Sequence, residues 1–563
     1  MRRPRRKAAS VTTALATALL LGATAPGPGP GTGMGTGPGP HPDPTTAPAP
    51  GDGPSAEGDP AAATALAARL VTRADAHDAY RHLAAFQRIA DANGGHRAAG
   101  TPGGDASAAY VRDALRDAGY RVTSTPFEFT FAETLAEKLT VTAPGGPARD
   151  VDVSLMTYTV STPEGGLTAP LAALPEEGDS TPGCEPSDYA PHDVRGKVVL
   201  IPRGACSFTE KQKAAADAGA VAALISNNTE GPLHGTLGDP SAAAVPTGGV
   251  TREDGRALAA AARTTARAED TADAPHTGET PNPGEAPRTT VTLDLRERRE
   301  QRTTHNVTAE TRGGAPSRTV MLGAHLDSVT EGPGINDNAS GSAGLLEVAL
   351  ELARAEHHPA QRVRFAWWSA EEFGLLGSTA YVDALPADRR EDIRLYLNFD
   401  MIASPNHALF VYDGDDSDGV GAGPGPAGSA QLERQLTGFL DRRGLSHLGT
   451  DFNGRSDYGP FIEAGIPSGG AFTGAEGIKT EKVAALFGGE AGKPYDPCYH
   501  RACDDLDNIS MAAFDANIDV IAHAAGVYAH DLSSLTAPAP ATAPAATTAT
   551  GGGLHPGHAG VER

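Results

Sequence analysis

The chain has 563 residues, 39% hydrophobic and 5% aromatic, with 46 basic against 70 acidic side chains and a formal charge of −24. That length leaves room for several domains and a large core. The acidic balance excludes nucleic acid and anionic membrane surfaces as partners, and past the N-terminus no stretch approaches the roughly 18 uninterrupted apolar residues of a membrane span.

Arg2, Arg3, Arg5, Arg6 and Lys7 form a basic start, Ala8 to Ala25 is apolar, and Ala23-Thr24-Ala25 offers a small-residue cleavage site. Residues 1–25 therefore read as a signal peptide, and the mature protein as secreted and extracellular. The four cysteines agree with an oxidising destination. Sequence allows three pairings, and the local one, Cys184 with Cys206 and Cys498 with Cys503, keeps each bridge within one segment. Residues 26–74 are Pro/Gly-rich and read as a disordered linker, and residues 536–563 repeat that character as a low-complexity tail, with His555 and His558 solvated.

Between these ends helices and strands alternate. His82 to Ala92 carries Leu83, Phe86, Ile89 and Ala90 at helical spacing and stops at Gly94-Gly95. Ser107 to Ala118 reads as a second helix, and Val122 to Phe131 as a strand with Phe127, Phe129 and Phe131 on one face. Residues 132–300 are rich in Val, Thr, Gly and Pro. There "VRGKVVLIPRGACSFTEKQKAAADAGAVAALISNNTEG" runs strand (Lys197–Ile201), helix (Thr209–Ala218), strand (Val221–Ser226), and the stretch resembles a protease-associated domain. From Thr319 the rhythm resumes: strand 319–324, helix 340–355, strand 363–368, strand 394–399. These strands are apolar throughout, as in a parallel sheet covered on both faces. The fold class is α/β: a mostly parallel central sheet flanked by helices, built from 75–131 and 301–535, and interrupted by a β-rich α/β insert at 132–300.

Polar residues recur at the C-terminal ends of those strands, where open α/β sheets place their sites. His325 and Asp327 follow the first, Asp337 precedes the helix, Glu371 and Glu372 follow the second strand, Asp400 the third, and His500 comes later. Each alone has a structural explanation as a cap or a surface group. Together they are two imidazoles and several carboxylates on one rim, where unscreened like charges repel and a cation is expected. Mixed His and carboxylate ligands suit zinc, with a left-over acid as general base.

"GAHLDS", "GINDNASGSAGLLE", "WWSAEEFGLLGS", "YLNFDMI", "GRSDYGPFIEAGIPSGGAFTGAEGIKT" and "DPCYHRACDD" resemble the secreted family-28 metallopeptidases, among them the actinomycete leucyl-type aminopeptidases. The resemblance implies two zinc ions per chain. His325 and Asp400 hold one, Glu372 and His500 the other, and Asp337 bridges them. It implies that Asp327 orients His325 through its other ring nitrogen. Glu371 is the general base on a zinc-bound water, Tyr499 hydrogen-bonds the oxyanion, and Cys498–Cys503 braces their loop. Met401, Gly454, Phe472 and Tyr499 match an apolar pocket, and Arg455 a position near the substrate's α-amino end. A cis peptide is expected at Asp337–Asn338. The substrate is the N-terminus of a peptide or protein, with a large apolar, leucine-like first residue, and the protein a monomer. A carboxypeptidase or dipeptidase on the same scaffold is the alternative, and a catalytically dead peptide-binding relative is disfavoured because all five ligands and the base are present. No G-x-S-x-G elbow or His-Glu-x-x-His motif occurs. The acidic run 413–419 lacks the Gly and Glu of a calcium loop, so Ca²⁺ has no loop motif behind it and the run reads as solvated.

Overall fold

The computed structural model describes residues 58–175, 182–228, 231–272, 288–419, 421 and 423–537. The signal-peptide reading, most of the linker, and the tail with His555 and His558 lie outside the described residues.

Part of the expected linker is instead a helix, Pro60–Arg73. Asp59 caps it by accepting the Ala61 and Ala62 N–H groups, and proline stands at its first turn. Ala63, Leu66, Ala67 and Leu70 form a buried stripe, so a run that looks Ala/Pro-rich is amphipathic. It packs on the C-terminal helix Met511–Tyr528 so closely that a Cβ on Gly526 would lie 2.4 Å from the Ala67 Cα.

The catalytic sheet is centred on three parallel strands, Ala315–His325 between Gln361–Trp368 and Ile393–Phe399. Ser468–Phe472 extends it in parallel and Phe410–Tyr412 antiparallel. The central residues alternate between two cores. Val320, Leu322 and Ala324 meet helices Ala76–Ala92, Gly341–Ala355 and Met511–Tyr528. Met321, Ala366, Trp368 and Tyr396 face an aromatic cluster in which Tyr396 stacks on Phe461 at 3.8 Å. Helices flank the sheet on both sides, as the apolar strands require.

Arg121–Thr142 and Thr290–Glu310 run across the expected boundaries at 132 and 300, paired antiparallel from Arg121↔Glu310 to Thr142↔Thr290 with a register shift between Thr134 and Ala136. One end of this ribbon joins the catalytic sheet at Gln361–Trp368, and the other joins Leu167–Ala173 of the insert. Of the three phenylalanines, Phe129 and Phe131 are buried, each 5.3 Å from Phe373. Within the insert, Leu167–Ala173, Val198–Pro202, Ala222–Ser226 and Thr247–Val250 pair in parallel. Helix Phe208–Asp217 starts at a Ser207/Glu210 capping box. Both local cysteine pairs are bonded, Cys184–Cys206 at 2.01 Å and Cys498–Cys503 at 2.08 Å. Among the described residues no helix is long and apolar enough to cross a membrane.

Candidate metal centre and active site

The strand ends deliver His325, Glu371–Glu372 and Asp400 to one rim. A turn ahead of helix Gly341–Ala355 adds Asp337, whose bond to Asn338 is cis, and the Cys498–Cys503 loop adds Tyr499 and His500. Ala370, Leu375, Met401 and His500 all hold a positive φ, between 48° and 60°. Such conformations are costly for residues with a Cβ and gather at functional sites.

Asp337 divides its two oxygens between the imidazoles: Oδ1 lies 3.2 Å from His325 Nε2, and Oδ2 3.2 Å from His500 Nε2. His325 Nε2 is also 3.2 Å from Asp400 Oδ1, and His500 Nε2 3.1 Å from Glu372 Oε2. Ligands at about 2.0–2.1 Å in a tetrahedron stand about 3.3 Å apart, so each imidazole and its carboxylate neighbours have a spacing that suits a zinc ion. His325 shares two such groups, with Asp337 and Glu372 and with Glu371 and Asp400, whose ligand atoms lie within 4.8 Å of one another. The electrostatics agree. Burial first, then Asp337, lifts Glu372 to about 7. Burial, with Asp400, Asp457 and Glu372 adding, pushes Glu371 well above the carboxylate range. Burial works against a charged His500, yet Glu372 and Asp337 pull it well above its ordinary value, as Asp400 and Glu371 do for the more deeply buried His325. A group of buried carboxylates that repel one another this strongly suits cations between them.

Asp327 faces the other ring nitrogen of His325 twice: its main-chain carbonyl lies 3.2 Å from Nδ1 and its carboxylate Oδ1 3.8 Å, an ion-pair distance longer than a hydrogen bond. The carboxylate also accepts the Glu371 N–H at 3.2 Å, so Asp327 joins the imidazole to the Glu371 backbone. Gly454 departs from its expected place. Met401, Phe472 and Tyr499 line a small pocket of about 50 Å³ with Tyr412 and Ala475. Gly454, turned by φ +77° and donating its N–H to the Tyr458 hydroxyl, lines the neighbouring larger cleft of about 240 Å³. Arg455 does lie at the pocket. Its Nη1 pairs with Glu476 at 2.6 Å and its Nη2 donates to the Tyr499 hydroxyl at 2.9 Å, so its charge is already matched. Burial pushes Tyr499 well above 10 although Arg455 pulls the other way, so the phenol keeps its proton.

Several contributors escaped the sequence reading. Ser456 donates to Asp400 Oδ2 at 2.6 Å and accepts from Asn398. Its only signal was adjacency to Arg455 in a quoted motif. Asp457 is wholly buried nearby, lifted to about 7 chiefly by burial. Arg97, also fully buried, donates to the carbonyls of Leu326, Pro333 and Gly334, lacing the His325 loop to the Asp337 turn. Nothing local marks it. The 413–419 loop is not simply solvated: Asp413 is buried and accepts the Ser417 and Asp418 N–H groups. It lies within 4.8 Å of Asp415 and Glu433, a cluster with no independent sign of a cation.

Comparison with known proteins gives a consistent picture. Residues 306–525 match the model of peptidase family M28, and residues 167–258 that of the PA domain. The chain is 44% identical over 479 residues to the "Probable lipoprotein aminopeptidase LpqL" of Mycobacterium tuberculosis, covering 84% of this chain and 89% of that one. It is 44% identical over 384 residues to "Leucine aminopeptidase 2" of Arthroderma otae, covering 68% and 71%. Among solved structures it is similar to an aminopeptidase from Aneurinibacillus sp. strain AM-1 (27% identity, 81% and 95% covered, TM-score 0.61). It is also similar to BSAP, a zinc aminopeptidase from Bacillus subtilis (26% identity, 80% and 94% covered, TM-score 0.54).

Proposed function

This chain belongs to peptidase family M28 and is a metallo-aminopeptidase, and from that premise we propose a two-zinc enzyme that removes large apolar, leucine-like residues from peptide N-termini outside the cytoplasm. The observation that carries the two-metal reading is Asp337, with one oxygen on each imidazole and a further carboxylate beside each. His325 and Asp400 would hold one ion, Glu372 and His500 the other. When bound, zinc supplies the Lewis acidity that polarises a carbonyl and acidifies water.

The protein's own groups do the rest. Glu371 lines both the pocket and the cleft, which places its carboxylate to take a proton from the attacking water and return it to the leaving amine. Tyr499 accepts from Arg455, so its O–H is left to donate to the oxygen that gains charge. Met401, Phe472 and Tyr412 receive the first side chain. Asp400 and Glu371 would hold the free α-amine, while Arg455, paired with Glu476, acts by orienting Tyr499. Curated relatives named leucine aminopeptidase support the apolar preference, and the lipoprotein relative and two disulfides support an extracellular or envelope location. The inserted domain, the peptidase halves around it, and the leader and tail at the ends complete the proposed organisation.

Leucyl-4-nitroanilide and its N-acetyl analogue test the choice of end. The free amine should be cleaved, and chelation should abolish the activity. Acetylation should reduce it by about 3 kcal/mol or more, since it removes a charge the site is built to pair. Equal cleavage of both, or release only from a free carboxyl end, would show that the amino end was the wrong choice.

A further inference from the structure

Two cavities meet at Glu371, Glu372, Arg455 and Tyr499. The smaller one, about 50 Å³, takes a side chain. An aminopeptidase has one residue on the amino side of the bond it cuts, so the longer remainder of the peptide lies in the larger cleft of about 240 Å³. One wall of that cleft is the inserted domain, through Glu137, Thr157, His234 and Thr236.

His234 stands over the metal centre, its ring centroid 5.9 Å from that of His500. It is exposed and lines the cleft, with no hydrogen bond from its ring to another side chain or carbonyl among the described residues. An imidazole left unpaired over a reaction centre needs either solvent or substrate. Its backbone is fixed: Leu233 before it is buried in the insert's core, and Gly235 after it pairs with Met156. A Cβ on Gly235 would come within 2.7 Å of the Phe208 ring and 2.8 Å of the Met156 sulfur, so only glycine lets the loop sit this deep. The Leu237 N–H then donates to Thr157 O at 2.9 Å. The whole insert is tied to the catalytic sheet by the shared ribbon, and the Tyr158 hydroxyl donates to Thr130 O at 2.9 Å. His234 is thus presented on a rigid support, as a recognition group requires.

We propose that His234 is a substrate-contacting residue whose ring N–H donates to a main-chain carbonyl of the leaving peptide. The insert then reads the chain beyond the cut bond. This rests on the aminopeptidase reading above. The test compares leucyl-4-nitroanilide, which has no main-chain carbonyl beyond the scissile bond, with Leu-Gly-Gly, using the full zinc-loaded chain. In His234→Ala the KM for Leu-Gly-Gly should rise roughly tenfold more than that for the anilide, the worth of one hydrogen bond, with kcat little altered. His234→Gln, which keeps an N–H donor, should recover much of it. Parallel changes on both substrates, or none on the peptide, would overturn the role of His234 alone. A wild-type enzyme inactive on both would overturn the aminopeptidase reading and this proposal with it.

Discussion

Replacing Arg97 by leucine should damage the metal centre without touching a ligand. The guanidinium is wholly buried and gives Nε to Pro333 O at 2.9 Å, Nη2 to Gly334 O at 2.6 Å, and Nη1 to Leu326 O. Burial lowers it to about 10 while Asp327, Asp504, Asp337 and Glu372 hold it charged, so it is a cation at neutral pH. Bonds from a charged donor contribute roughly 1.5–3 kcal/mol each, and three would sum to more than 4. Relaxation and entering water offset part of that, and breaking buried charge networks costs about 3–5 kcal/mol in general. We take about 4 kcal/mol, or a fall in melting temperature of about 4–7 °C for a domain of this size. Because the loops after His325 and before Asp337 both lean on Arg97, zinc affinity should fall with it, by about 10–100-fold. Thermal melting and zinc titration of Arg97→Leu read both effects. A variant melting within about 2 °C of wild type and holding zinc equally well would refute the reasoning.

Leu66, fully buried on the first helix, should cost about 3 kcal/mol as Leu66→Ala. Denaturant unfolding checks it, and no change would mean that 60–73 behaves as a linker after all. His523 stacks on Phe439 at 4.3 Å, and burial lowers it to about 4 from 6.5. Folding thus favours the neutral ring. Its stabilisation is present above pH 6.5 and is lost as pH falls towards 4, amounting to about 3 kcal/mol. His523→Gln should flatten that slope between pH 6.5 and 4; a wild-type slope in the variant would assign the acid sensitivity elsewhere.

What was legible in the sequence was chemistry at strand ends. His325, Glu371, Glu372 and Asp400 each follow an apolar strand and Asp337 precedes an apolar helix, and parallel strands carry their C-terminal ends to one rim, where the Cys498–Cys503 loop adds His500. Side-chain geometry was not legible. The resemblance implied that Asp327 orients His325, but not that the turn offers its main-chain carbonyl to the ring at 3.2 Å while the carboxylate also takes the Glu371 N–H. Arg97 lies 229 residues from the Leu326 carbonyl it serves, and no local pattern announces such a contact. The ribbon that crosses 132 and 300 was not legible either, because composition changes there while the antiparallel pairing carries on to Thr142↔Thr290. Pro60 and the alanines after it resembled the preceding Pro/Gly run, although their spacing already held a helix.

The adjacent pair Glu371–Glu372 tests the central claim most directly, by counting zinc per chain and measuring kcat/KM on leucyl-4-nitroanilide in Glu371→Gln and Glu372→Gln. The account predicts that Glu371→Gln keeps two zinc ions and loses about 10²–10⁴ in rate, as for a missing general base, whereas Glu372→Gln binds the second ion weakly or not at all. Zinc lost from the first variant with full occupancy in the second would contradict it.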